Sequence, residues 1–344
     1  MKTAILGATG LVGRVMLELL EIRDWVDEPP WLLVSGRSDG KALPFRGETL
    51  TCRDAAGVDP ETLDLALFSA GAGPSREYAP RYAARGVWVV DNSAAWRMDD
   101  DVPLVVPEIN ADALLPEGRI VANPNCSTIQ VAMALAPLHA AFGLKACHVT
   151  TLQSVSGAGG RARGALEEQL RLCLPRLHGT SGPSPEEDVT GGLFPRQIAF
   201  NAIPEIGAAV DDGSFVEEDK VVREMRKILG RPDLTVTCLA TRVPVWNCHS
   251  ASIRAVFERP VDRDRALDAL RDAPGVQAAA SPHAYRTALG ASGTDDVHVG
   301  RLRVEPGRDD VLLMWVVADN LRKGAALNAV QIADRLVAAG GTDR

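Results

Sequence analysis

Apolar residues in the first third of the chain fall into short unbroken runs separated by helical patterns. The runs are "TAILG" (3–7), "WLLVSG" (31–36), "LALFSAG" (65–71), "VWVVDNS" (87–93), "PLVVPE" (103–108) and "RIVANP" (119–124). A run that is apolar at nearly every position suits a strand buried on both faces, as inside a parallel sheet. Between the first two runs, "LVGRVMLELLEI" (11–22) places Val12, Val15, Met16 and Leu19 on one side of a helix. This alternation predicts an α/β fold whose N-terminal part is a Rossmann-type, doubly wound parallel sheet.

The rhythm changes after residue 127. "TIQVAMALAPLHAAF" reads as a helix, and "CHVTTLQSVSGAGG" (147–160) as a strand running into a glycine-rich loop. Residues 175–196 carry several Pro and Gly and few apolar positions, and read as a long surface excursion. "VEEDKVVREMRKILG" (216–230) is a predicted helix ending on Gly230. "LTVTCLATRVPV" (234–245), "HSASIRAVFE" (249–258), "VHVGRLRV" (297–304) and "VLLMWVVAD" (311–319) read as strands, several of them alternating. They predict an α+β domain with a mixed, largely antiparallel sheet. "NLRKGAALNAVQIADRLVAA" (320–339) reads as one last amphipathic helix.

At 344 residues the chain has room for two domains. A net charge of -8 argues against nucleic acid or an anionic membrane as the main partner. The six cysteines form no C-x-x-C pair, so a reducing cytoplasm is expected. The six histidines form no metal-ligand spacing, and no metal is expected. Glycines interrupt the first apolar run and no small-residue cleavage site follows, which argues against a signal peptide. No apolar stretch is long enough to span a bilayer.

Three short motifs carry candidate chemistry. "GATGLVG" sets Gly7, Gly10 and Gly13 between a predicted strand and a helix. That context suits the pyrophosphate of a dinucleotide, held by backbone N–H groups at the helix start. The second strand ends in "VSGRSDGK", with Ser35, Arg37 and Ser38 where an NAD site usually has an acid. Hydroxyl and guanidinium donors suit a 2′-phosphate, which favours NADP, although Asp39 stands just beyond. "NPNCST" places Cys126 after a strand end and before a helix whose first N–H groups stabilise a thiolate. Asn125, Ser127 and Thr128 are candidate caps. His249, in "RVPVWNCHS", is the best-placed histidine for an acid/base, but spacing alone leaves the pair open beside the ordinary reading of both as structural.

These motifs, together with "DNSAAWRMDDDVPLVVPEIN", "QSVSGAGG", "FNAIPEIG", "EEDKVVREMRKILG" and "DNLRKGAALNAVQIA", closely resemble the aspartate-semialdehyde dehydrogenase family, in order and over essentially the whole chain. The resemblance implies an NADP-binding domain of residues 1–127 plus 320–344 and a catalytic and dimerisation domain of residues 128–319. It implies NADP-dependent interconversion of L-4-aspartyl phosphate and L-aspartate 4-semialdehyde, with phosphate, on the route to lysine, threonine, methionine and diaminopimelate. It makes Cys126 the nucleophile, His249 the acid/base and Gln153 the residue orienting the catalytic group. Arg242 would meet the substrate α-carboxylate and Glu217 its ammonium, while Arg97, Asn125 and Lys220 would bind phosphate. The cofactor would be held by Gly7, Thr9, Gly10, Leu11, Val12, Gly13, Ser35, Arg37, Ser38, Ser69, Gly71, Ser156, Gly157, Gly159 and Asn320. A homodimer, or a dimer of dimers, is implied as well.

Arg242 and His249 are seven residues apart, so a single extended strand would put them on opposite faces unless Pro244 bends it. Two departures stand out. Cys248 replaces the family's usual Gly, and could crowd the site or supply a second thiol. Glu205 and Gly207 also differ from the common pattern. Two alternatives therefore stay open: an acyl-phosphate reductase acting on an N-acetyl-γ-glutamyl phosphate, and a non-catalytic relative.

Overall fold

The computed structural model describes residues 1–114, 118–176 and 192–340. Contacts divide the chain into two compact units. One comprises Met1–Met133, Arg223–Pro232 and Leu321–Arg344, and the other Ala134–Val222 and Asp233–Asn320.

The first unit contains a six-stranded sheet in the order Arg53–Asp54, Trp31–Val34, Thr3–Leu6, Leu65–Phe68, Trp88–Asp91, Ile120–Ala122. Every pairing is parallel. The central strands Thr3–Leu6, Leu65–Phe68 and Trp88–Asp91 are buried at every position, as their unbroken apolar runs require. Helix Leu11–Glu21 turns Met16, Leu17, Leu19 and Leu20 into the core. Its C-terminal carbonyls are covered by Arg46, which donates to the carbonyl oxygens of Leu20, Glu21, Arg23 and Val26.

The second unit holds a mixed sheet in the order Thr235–Arg242, Leu144–Gln153, His249–Phe257, Arg308–Ala318, Val297–Glu305, Val276–Ala278. Three of its five pairings are antiparallel. Among the described residues no helix is long and apolar enough to cross a membrane.

Several expectations are corrected. "PLVVPE" contributes only an isolated bridge at Leu104 and then turns into helix Pro107–Asn110, because Pro107 starts a helix more readily than it continues a ladder. The last helix is not uniform: a π turn, Arg322–Ala326, precedes helix Leu327–Ala338. Lys323 in that turn is buried, and its ammonium donates to Glu108, Asn328 and Gln331 at 2.7–2.8 Å. Most of the excursion expected over 175–196 lies outside the described residues, but its end does not stay at the surface. Phe194 is buried in a cluster with Val155, Leu166 and Ile198. Helices Ala72–Ala83 and Gly160–Cys173 were not foreseen; both are polar on balance, so their apolar periodicity is weak.

The glycine turn is tight. Gly7 has φ +91°, and a Cβ on Gly13 would sit 2.3 Å from the Gly7 carbonyl oxygen. Gly13→Ala should therefore lower stability by about 1–3 kcal/mol, the usual range for overpacking. Gly164→Ala, in an exposed helix with open space around it, should raise stability by about 0.4–1 kcal/mol. Urea midpoints of the two variants moving in opposite directions will check this; a common direction would contradict it.

Candidate active site

In the first unit, helix Cys126–Phe142 begins on the cysteine itself. Asn125 caps it: its side-chain oxygen accepts from the N–H groups of Ser127 (2.9 Å) and Thr128 (3.3 Å). The preceding turn is clamped at Asn123, whose amide donates to Asn92 and accepts from Asn328. Cys126 is half-buried at the positive end of its helix. Gly324, in the π turn, packs against it; a Cβ there would lie 3.1 Å from the Cys126 Cβ. Burial pushes the Cys147, Cys238 and Cys248 thiols up to about 12.

Arg97 is buried in the same unit. Its Nε donates to the Asn123 carbonyl (2.9 Å), Nη2 to the Asn92 carbonyl (2.7 Å) and Nη1 to Glu224 (3.0 Å). Gly7, Thr9, Gly10, Leu11, Val12 and Gly13 form the turn at the start of helix Leu11–Glu21. That start has no side-chain cap and no acidic residue in its first turn, so its N–H groups suit an anionic pyrophosphate. Ser69 lies against Gly7, where a Cβ would meet the Ser69 carbonyl oxygen at 2.4 Å, and Gly71 begins the next helix. Ser35, Arg37 and Ser38 follow strand Trp31–Val34, with the Lys41 ammonium 3.2 Å from the Ser38 hydroxyl. The Asp39 side chain accepts from the Asp54 N–H (3.0 Å).

The second unit gathers another set. Gln153 ends strand Leu144–Gln153; its amide nitrogen donates to Glu217 (3.3 Å), and its oxygen accepts from Arg242 (3.5 Å). Arg242 also donates to the Ser154 carbonyl (2.8 Å), and Lys220 pairs with Glu217 (3.0 Å). His249 is fully buried. Its Nδ1 accepts from the Ser154 N–H at 3.1 Å and lies 3.2 Å from the Ser154 hydroxyl, while Nε2 has no hydrogen-bond partner among the described residues. Burial, then the Arg242 charge, lowers its pKa to about 3. Ser156 and Ser154 both donate to the Asn320 side-chain oxygen. Gly159 starts helix Gly160–Cys173. Gly157 lets two groups converge: a Cβ there would lie 2.9 Å from His249 Nε2 and 3.0 Å from Arg242 Nη1.

Arg242 ends one strand and His249 begins another, so no bend at Pro244 within a single strand is needed. The two residues sit on separate strands flanking Leu144–Gln153, so alternation along one strand never applied. Cys248 has φ +70° and packs with Ala291 and Val317. Its burial and raised pKa remove it as a ready second nucleophile. Ser154 and Glu224 were not foreseen. Serine beside Gln153 looks like an ordinary loop residue, and a glutamate in a charged helix reads as solvated.

The sequence matches the family models for the semialdehyde dehydrogenase NAD binding domain, over residues 2–115, and dimerisation domain, over residues 135–323. Aspartate-semialdehyde dehydrogenase of Aquifex aeolicus is 43% identical, covering 98% of each chain. That of Mycolicibacterium smegmatis is 44% identical, covering 97% of this chain and 98% of its own. The crystal structure of aspartate semialdehyde dehydrogenase II of Vibrio cholerae, complexed with ASA, superposes with a TM-score of 0.90 at 40% identity, covering 98% of each chain. Likeness of this extent, in sequence and in fold, places the chain in the aspartate-semialdehyde dehydrogenase family of oxidoreductases.

Proposed function

We propose that the protein carries out the reversible, NADP-dependent reductive dephosphorylation of L-4-aspartyl phosphate to L-aspartate 4-semialdehyde, through a thioester on Cys126. The observation that carries this reading is the pairing of a buried carboxylate and a buried guanidinium, Glu217 and Arg242, on either side of the Gln153 amide. Opposite charges around one polar pivot suit the ammonium and α-carboxylate of a free amino acid. An N-acetylated substrate has no ammonium for Glu217. The Vibrio cholerae relative in complex with ASA fits the same choice.

In this reading the Cys126 thiolate attacks the acyl carbon, forms the C–S bond and expels phosphate, so that one difficult substitution becomes two easier steps. A bound nicotinamide cofactor supplies the hydride that reduces the acyl carbon. The tetrahedral adduct collapses, breaking C–S and returning the thiolate. The positive end of the Cys126 helix favours the developing oxyanion. His249 acts as a neutral donor. With Nδ1 accepting from Ser154, the ring proton belongs on Nε2, which offers a hydrogen bond to the departing sulfur. Arg97, Asn125 and Lys220 hold the phosphate. Losing one cationic contact should cost about 1.5–3 kcal/mol.

Gly7 to Gly13, Ser69 and Gly71 would hold the cofactor's phosphates and adenosine portion, and Ser156, Gly157, Gly159 and Asn320 its nicotinamide end. Ser35, Arg37 and Ser38 would select the 2′-phosphate, and one oxygen of Asp39 is engaged by the Asp54 N–H. The protein assembles as a homodimer or a dimer of dimers. Supporting this are the dimerisation-domain match and the exposed Leu239, Trp246, Tyr285 and Leu289 within it. The buried thiols Cys52, Cys147, Cys173 and Cys248 fit a reducing cytoplasm. The pathway assigned is that of lysine, threonine, methionine and diaminopimelate.

Purified protein should reduce NADP with aspartate semialdehyde only when phosphate is present. Cys126→Ala should abolish turnover while retaining NADPH binding. Normal turnover in that variant, or preference for the N-acetyl-γ-glutamyl acyl phosphate, would reject the reading. Arg37→Ala should weaken NADPH far more than NADH; equal losses would reject the NADP assignment. His249 gives a pH test. Its pKa is about 3 folded against about 6.5 in a free chain. As pH falls below about 6.5, the unfolded state takes up a proton that the folded state refuses, so stability declines on acidification. His249→Gln should flatten the fall of the urea midpoint between pH 7 and 5; an unchanged slope would show that His249 titrates normally.

A further inference from the structure

Glu224 is 1% exposed, in the segment Arg223–Pro232 of the first unit. A carboxylate so deeply buried is costly unless its oxygens are matched by donors. Both are matched, by two different parts of the candidate site. Oε1 accepts from Arg97 Nη1 at 3.0 Å, and Oε2 accepts from the Asn125 backbone N–H at 2.6 Å. Asn125 is the cap whose side chain orders the first turn of the Cys126 helix. Arg97 has five N–H bonds; Nε, Nη1 and Nη2 each give one to the protein. The remaining two are available to an anion, and their direction is fixed by those three anchors. Lys227, on the same segment, reinforces this arrangement by donating to the carbonyl oxygens of Arg97, Asp99 and Val102.

We infer that Glu224 is a positioning residue for the phosphoryl group: its carboxylate aims the free N–H donors of Arg97 and, with its second oxygen, holds the turn that presents Cys126. The inference rests on the proposed phosphate role of Arg97. It separates Glu224 from a plain buried staple, because a staple would affect how much protein is folded and not how well the folded protein takes phosphate. Aspartate at this position keeps the charge but shortens the reach by one methylene, so it cannot meet both donors at once.

The test is steady-state kinetics of Glu224→Asp in the phosphate-dependent direction. The KM for inorganic phosphate should rise at least tenfold, while the KM values for aspartate semialdehyde and NADP stay within twofold. A phosphate KM within twofold of the unsubstituted enzyme, with only Vmax reduced, would overturn the inference and leave the proposed function standing. Activity of the unsubstituted enzyme without phosphate would overturn both. If Glu224→Asp does not fold, a phosphate-soaked crystal structure of the unsubstituted protein decides. Arg97 still bonded to Glu224 and donating to the anion supports the inference, and Arg97 released from Glu224, or not touching phosphate, overturns it.

Discussion

The candidate site depends on one short polar contact, the Asn125 side chain accepting the first free N–H groups of the Cys126 helix. A helix start leaves four such groups unsatisfied. Here the cap takes those of Ser127 and Thr128, which fixes the turn without placing a charge beside the sulfur. The thiol thus begins a 17-residue helix that is largely buried, and moves only if that helix moves. Asn123 and Asn328 repeat the logic one step back, amide bonded to amide at 2.6 Å. The buried Arg97–Glu224 pair adds charged partners to the same loop, at the Asn123 carbonyl and the Asn125 N–H.

The second unit relies more heavily on charge. Glu217, Arg242 and Lys220 surround Gln153, and none of them is more than half exposed. A lone buried charge would be ruinous; here Lys220 pairs with Glu217 and Arg242 is held by Gln153 and the Ser154 carbonyl, which leaves a patterned field that a zwitterion can match. His249 shares this neighbourhood and stays neutral, first because it is fully buried and then because a second cation beside Arg242 would be repelled.

How much of this was legible in the sequence follows from range. Parallel strands such as "TAILG" and "LALFSAG" announce themselves because burial on both faces leaves no polar position. The glycine turn is equally local: its residues meet within a few positions of one another. Cys126 could be singled out from its place between strand and helix, and its companions from the resemblance of the ordered motifs. What could not be read is any contact whose partners lie far apart in the chain. Glu224 is 99 residues from Asn125 and 127 from Arg97. Nothing in "VVREMRKILG" marks that glutamate as different from its solvated neighbours. The placing of Arg242 and His249 is of the same kind, because a third strand, distant in sequence, lies between theirs.

Cys248 shows how tolerance can be confined by a neighbour's task. Its backbone lies in the left-handed region at φ +70°, its N–H is tied to the Asn320 side chain at 2.9 Å, and the next residue is His249. Non-glycine residues pay about 1–2 kcal/mol for such a conformation, and branching at Cβ makes it worse. The sulfur packs against Ala291 and Val317. A side chain larger than cysteine would therefore add crowding to backbone strain, a constraint set by local geometry and not by any chemistry of the thiol.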